Sequence, residues 1–398
     1  MSKGHIYTHV RFLLHIRVLL IAGVIAIGGT IGRVEAGVWD AIKQYYQALQ
    51  QGELDEESIP ETPVEYAGEV ALELEDKVEL VFDEETPGIG EVRWMGITPE
   101  GTLLLTDGVA QQAHEFSLRD NSYIRPFGRQ GSGPGSYTYA KNMTLDLKGQ
   151  VYLFDGHQVL RYDRQGRFLD RTRFIGGSRV LAGRDGELFF GGVNLRNIME
   201  LQRRDPVTWK IVYRTPLSTG SQSFISYRMR AIAQLCYSPT LHRLYYLGPN
   251  DYMVKEIDAA TGEIIRQFGR RPEGFITLPE RYYDIGRGSF KDMQQLEIST
   301  VGCMTLLGDH YLVISYSYPG SPVWKWLVYN LNSSDRIDIY DFDEDTEELL
   351  QPFSRDRAPM RAITAWKEFL YIWRPPPEGR LETSNGTVEM YVLSFDTN

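Results

Sequence analysis

Cysteine is nearly absent from this chain. Its 398 residues include two, Cys236 and Cys303, which excludes a disulfide-stapled scaffold and any paired-cysteine metal motif. Histidine is scarce as well: of seven, His5, His9 and His15 lie near the N-terminus, and His114, His157, His242 and His310 are scattered. They make no HxH or HExxH set, so no zinc site assembles from local spacing. The GxSxG elbow of many serine hydrolases is missing too. Positive charge is outweighed, with 42 Lys and Arg against 53 Asp and Glu and a net charge of −11, which argues against a nucleic-acid binder. A clean apolar run of membrane-spanning length, about 20 residues, is also lacking. The nearest approach is VLLIAGVIAIGGTIG from Val18 to Gly32.

What the chain does have is one phrase used six times: an apolar strand, a tight polar turn, a second apolar strand. The copies read MGITPEGTLLLTD from Met95, MTLDLKGQVYLFD from Met143, VLAGRDGELFFGG from Val180, CYSPTLHRLYYLG from Cys236, CMTLLGDHYLVIS from Cys303 and AITAWKEFLYIW from Ala362. Their starts are 48, 37, 56, 67 and 59 residues apart. Strand-built repeats at about this period are propeller blades, so the expected fold is all-β, a six-bladed β-propeller. Both cysteines fall in a slot that Met95, Met143, Val180 and Ala362 also occupy, and they read as core thiols. The last copy is followed by a single further strand and then the chain ends. The segments EVALELE and KVELVFD, between Glu69 and Asp83, form a strand pair ahead of the first copy, and one of them is expected to supply the missing outer strand.

The N-terminal 36 residues carry Lys3, Arg11 and Arg17, then the apolar stretch, then Val34 and Ala36 placed for signal peptidase. They read as a signal peptide or signal anchor. Export follows in either case, to the periplasm, the cell envelope or the medium, with membrane association through an uncleaved anchor as the alternative. Residues 37–66 read as a short helix, Val38 to Leu49, and an acidic proline-containing linker, leaving 67–398 as the propeller.

The run FGRQGSGPGSY from Phe127 and the blade MTLDLKGQVYLFDGHQVLRYDRQGRFL after it resemble bacterial six-bladed propellers of the NHL and TolB-like kind. Such repeats pair a glycine-rich lead-in with strand, turn, strand, Asp and an Arg-containing strand. Asp155, Arg161 and Asp163 fall in that pattern, and FGRRPEGF from Phe268 is a second lead-in. The resemblance covers about Glu69 to Phe395 and implies the fold and export. Relatives of this kind include lyases and metal-dependent lactonases as well as binding modules. Lactonase-type relatives hold their metal with carboxylates and amides on the channel strands, where this chain offers only Asn142.

Other motifs reduce to structure. The run Gly128–Gly135 lacks the Lys-Ser/Thr of a P-loop and reads as a turn between blades. The acidic run Asp341–Asp345 has Thr346 where a calcium loop needs Gly and Pro352 where it needs Glu, and reads as a solvated loop. Asn142, Asn332 and Asn385 begin chance matches to the glycosylation pattern.

One constellation points to binding. A cation stands just ahead of the first strand in several copies: Arg93, Lys141, Arg179, Arg361 and, more loosely, Arg230. In a propeller those strands line the central channel and start at one face. The long connections to that face hold Arg228, Arg281, Tyr282, Tyr283, Arg287, Arg355 and Arg357 as a possible rim. Basic side chains gathered at a concave mouth focus potential and grip carboxylates or phosphates. The opposing expectation is that they pair with loop carboxylates such as Asp284, Asp292 and Asp356. The favoured function is therefore an exported, non-catalytic propeller that binds a protein, peptide or other anionic ligand at the channel face, with no cofactor required. The alternative is a lactonase-like lyase or hydrolase at the channel mouth, for which a bound calcium would be the sign.

Overall fold

The computed structural model describes residues 58–80, 88–173, 179–193, 199–218, 233–279, 297–321, 324–350, 363–376 and 385–395. The expected signal segment and the helix at 38–49 lie outside these residues.

The described chain is nearly all strand. After β1 (Val64–Glu79), a first antiparallel sheet of four strands comprises β2 (Val92–Ile97), β3 (Thr102–Asp107), β4 (Gln112–Ser117) and β5 (Tyr123–Phe127). A short parallel pair, β6 (Arg129–Gln130) and β7 (Ser136–Tyr137), occupies the glycine-rich run and leads into the next sheet. That second sheet holds β8 (Asn142–Leu145), β9 (Val151–Phe154), β10 (Gln158–Tyr162) and β11 (Phe168–Arg173). The third holds β12 (Arg179–Ala182), β13 (Leu188–Val193), β14 (Met199–Arg204) and β15 (Ile211–Ser218). The fourth holds β16 (Gln234–Ser238), β17 (Arg243–Leu247), β18 (Val254–Asp258) and β19 (Ile264–Phe268).

The rest of the chain supplies β20 (Thr300–Leu307), β21 (Tyr311–Ser317), β22 (Trp324–Asn330), β23 (Ile337–Phe342), the helix α1 (Glu344–Leu349), β24 (Ile363–Trp366), β25 (Phe369–Arg374) and β26 (Thr387–Phe395). These strands join β1 in one eight-stranded sheet, ordered β20-β21-β22-β23-β1-β26-β25-β24. The result is a propeller-like arrangement of four small sheets and one large one. The first strands β2, β8, β12, β16, β20 and β24 are neighbours in that order, and β24 returns to β2.

Local chemistry explains the hairpins. The turn Asp146-Leu147-Lys148-Gly149 closes when the Gly149 N–H donates to the Asp146 carbonyl at 3.0 Å, with Gly149 at φ +76°. A side chain there would be strained. The Asp146 carboxylate accepts from the Lys148 and Gln150 N–H groups at 2.9 and 2.8 Å, an Asx turn that pre-shapes the loop. Apolar residues on the sheet faces meet between neighbouring sheets. Leu104 and Phe127 of the first pack with Met143, Leu153 and Leu160 of the second, all at most 1% exposed. Cys236 packs in the cluster between the fourth sheet and β20–β22, and Cys303 in the next; both thiols are free and buried.

The N-terminal segment departs from the expected strand pair. EVALELE and KVELVFD are not two strands: β1 runs from Val64 to Glu79 across both, with only a bulge between Leu74 and Asp76. Its first half pairs in parallel with β23, Val64 opposite Ile337 through Val70 opposite Phe342. Its second half pairs antiparallel with β26, Val70 opposite Phe395 through Glu79 opposite Thr387. Just upstream, the Thr62 N–H donates to Gln267 O at 2.9 Å and the Gln267 N–H to Pro60 O at 2.8 Å, on β19. One strap thus crosses the outer strands of three consecutive repeats, and Pro60, Thr62 and Val64, within the segment read as linker, take part in it.

The acidic run is a second departure. Asp341 and Phe342 end β23, and Asp343 is the N-cap of α1, its carboxylate accepting from the Thr346 N–H at 2.8 Å. Carboxylates at Glu344, Asp345 and Glu347 face the positive end of the helix. The Thr346 hydroxyl in turn accepts from the Leu72 N–H at 3.0 Å. The helix therefore latches the strap.

Candidate functional site

Three cations of the predicted set stand at the same end of neighbouring first strands. Arg93 is in β2, Lys141 directly precedes β8 and Arg179 opens β12. Each has a defined setting. Arg93 lies across Gly108, with a guanidinium nitrogen 3.7 Å from Glu91. Lys141 is exposed and lies across Gly156. Neither glycine has room for a Cβ, because the cation's own side chain fills that space. Arg179 donates to the Gln234 amide oxygen at 2.6 Å, reaching from β12 to β16.

The glycines follow buried aspartates that set the same face. Asp107 accepts from the N–H groups of Gly90, Glu91 and Val109 at 3.1, 3.1 and 2.8 Å. Asp155 accepts from those of His157 and Gln158, both at 2.9 Å. Each aspartate thus ties the end of a second strand to its neighbouring loop, and the cation lies against the glycine that follows it. Asn250 does similar work for the long connection after β19: its amide donates to the carbonyls of Ile276 (3.0 Å) and Ser299, and accepts from the Leu278 N–H at 2.7 Å. Both described ends of that connection are therefore held at one point. Nothing in the sequence marked Gln234 or Asn250, because their partners are far away in the chain; Glu91 stands only two residues from Arg93.

Polar side chains also stitch the first strands together. Asn142 Nδ2 donates to Val180 O at 3.2 Å, Thr144 Oγ1 accepts from the Ala182 N–H at 2.9 Å, and Cys236 Sγ donates to Met304 O at 3.1 Å. The one amide considered for metal ligation is thus engaged through its nitrogen, although its buried Oδ1 finds no partner among the described residues. Burial pushes both thiols up to about 12, with the Arg179 charge acting in the opposite sense. Neither is a nucleophile near neutral pH. Among the described residues no group of three or more His, Cys, Asp or Glu is placed to hold a metal ion.

The remaining predicted residues, Arg230 and Arg361 of the basic set and Arg228, Arg281, Tyr282, Tyr283, Arg287, Arg355 and Arg357 of the rim, lie outside the described residues. So do the carboxylates Asp284, Asp292 and Asp356 expected to oppose them. At the far end of the sheets, His242 lies in the β16–β17 turn, its Nδ1 2.8 Å from the Tyr237 hydroxyl. The glycosylation matches at Asn142 and Asn385 are buried, and Asn385 Oδ1 accepts from the Ile89 N–H at 2.8 Å.

No protein-family profile matches the chain, and no curated protein matches it. Among solved structures, a Bacteroides fragilis protein designated as exported superposes with a TM-score of 0.61 at 15% identity, over 84% of this chain and 99% of that one. A member of the DUF4221 family from Bacteroides vulgatus gives a TM-score of 0.53 at 12% identity, over 82% of this chain and 98% of that one. At these identities the likeness concerns the fold.

Proposed function

We propose that the chain is an exported six-bladed propeller of the NHL and TolB-like kind that binds an acidic protein segment, peptide or other anionic ligand at one face of its central channel. Six blades follow from dividing the eight-stranded sheet at β1: β20–β23 then form a fifth blade and β24–β26 with the second half of β1 a sixth. The neighbour order of the six first strands supports that division. Export is supported by the charged, apolar and small-residue succession of the first 36 residues and by likeness to a protein designated as exported.

The observation that carries the binding reading is the placement of Arg93, Lys141 and Arg179 at the same end of three adjacent first strands. Of the three, Lys141 is exposed, and the hydrogen-bond partner named above for Arg179 is an uncharged amide. In a chain of net charge −11, an exposed cation at this face attracts anions, and the carboxylates of Glu91, Asp107 and Asp155 beside the same strand ends offset part of that attraction. The test is a calorimetric titration with a glutamate-rich peptide and with citrate. The wild-type protein should bind at least one probe more weakly as salt rises, and the double variant Lys141→Glu/Arg179→Glu should bind neither. Equal binding by both proteins would refute the reading.

A further inference from the structure

The cleft between the first and second sheets lies at the turn end of β2, opposite the basic set. It is half open to solvent and offers about 280 Å³, near the lower limit of small-molecule sites, about 300 Å³. Its floor is apolar: Leu104, Phe127, Leu145 and Val151, with Ile124, 39% exposed, at the lip.

Polar side chains surround this floor. Thr98 Oγ1 and Thr102 Oγ1 are 2.8 Å apart, and Thr102 Oγ1 donates to Glu115 Oε1 at 2.7 Å. Arg125 Nε donates to Glu115 Oε2 at 2.7 Å, and its Nη2 donates to the Arg164 carbonyl at 3.0 Å, crossing to the second sheet. The Arg164 guanidinium returns to Glu100, two residues from Thr98. Both carboxylates and both guanidinium groups are thus paired with one another.

We propose that this cleft is a second ligand site, distinct from the channel face, and that it takes a small neutral molecule: an apolar body with one hydroxyl or amide head. The body fits the floor and the head exchanges hydrogen bonds with the polar side chains. A charged ligand finds no unpaired countercharge there and would lose its hydration without compensation. The site is independent of the channel-face reading, since it shares no residue with the basic set.

The experiment compares three probes of one shape, p-cresol, 4-methylbenzoate and 4-methylbenzylamine, by saturation-transfer NMR and calorimetry on the full chain. The wild-type protein should bind p-cresol at roughly 0.1–1 mM and each charged analogue at least about tenfold more weakly. Ile124→Asp, at the exposed lip, should weaken p-cresol by about tenfold or more. Glu115→Gln leaves Arg125 without its carboxylate and should reverse the preference in favour of 4-methylbenzoate. Lys141→Glu/Arg179→Glu should leave p-cresol binding unchanged, which separates this site from the channel face. No binding of p-cresol, equal binding of all three probes, or indifference to both cleft variants would overturn the proposal.

Discussion

His114 shows how a single side chain couples this fold to pH. It is fully buried on β4, its Nδ1 3.2 Å from the Tyr123 hydroxyl and its Nε2 without a partner among the described residues. Burial depresses its pKa to about 4, against a weaker opposing pull from Asp107. The unfolded imidazole takes its proton near 6.5, so the unfolded state gains protons first as pH falls. Stability is therefore present above pH 6.5 and lost between 6.5 and 4, by about 3 kcal/mol. Urea unfolding at pH 7 and pH 4.5 should show this loss in the wild type and a smaller one in His114→Leu. A second residue-scale prediction concerns Gly302 on β20, where an added Cβ would collide with the Trp324 ring and press on Ser315 Oγ at 2.5 Å. Gly302→Ala should cost about 1–3 kcal/mol in the same assay. At this scale the sequence was partly legible. The core cysteines followed from their slot in the repeat, but Asp343 as a helix cap did not, since an acidic run carries no sign of which residue the chain will fold around.

The strap is the element on which the architecture turns. Val70 is 2% exposed and sits where the parallel and antiparallel pairings of β1 meet, opposite both Phe342 and Phe395. Four residues on, Leu74 is 54% exposed. Val70→Asp should therefore cost roughly 2–4 kcal/mol, and Leu74→Asp no more than about 0.5. Equal effects in thermal melts would contradict the observed register. Deleting residues 58–79 removes partners from the outer strands β19, β23 and β26 together. The loss should be of the order of the whole folding free energy, about 5–15 kcal/mol, and should leave an aggregation-prone protein with unpaired edges. That an N-terminal strand joins the last sheet was legible from a repeat one strand short. Its reach onto β23 and β19 was not, because the Pro60–Tyr66 stretch shows no strand alternation and gains its hydrogen bonds only from edges formed hundreds of residues later.

The whole molecule joins an acidic body to a local group of cations. Its period and turn chemistry make a propeller-like arrangement readable in the sequence, since each hairpin repeats the same short-range rules. The candidate site was less readable. A cation ahead of a strand can be counted in the sequence, but how far its partner lies cannot: Arg93 meets Glu91 two positions away, whereas Arg179 reaches Gln234, 55 positions away. On the proposed function these cations recruit an acidic partner outside the cytoplasm. This recruitment is tested most directly by quantitative affinity capture from the native envelope fraction, with wild-type protein and the Lys141→Glu/Arg179→Glu variant as matched baits at physiological and high salt. An acidic species should be enriched by the wild type, released by salt and lost with the variant. Identical capture profiles for the two baits would contradict it.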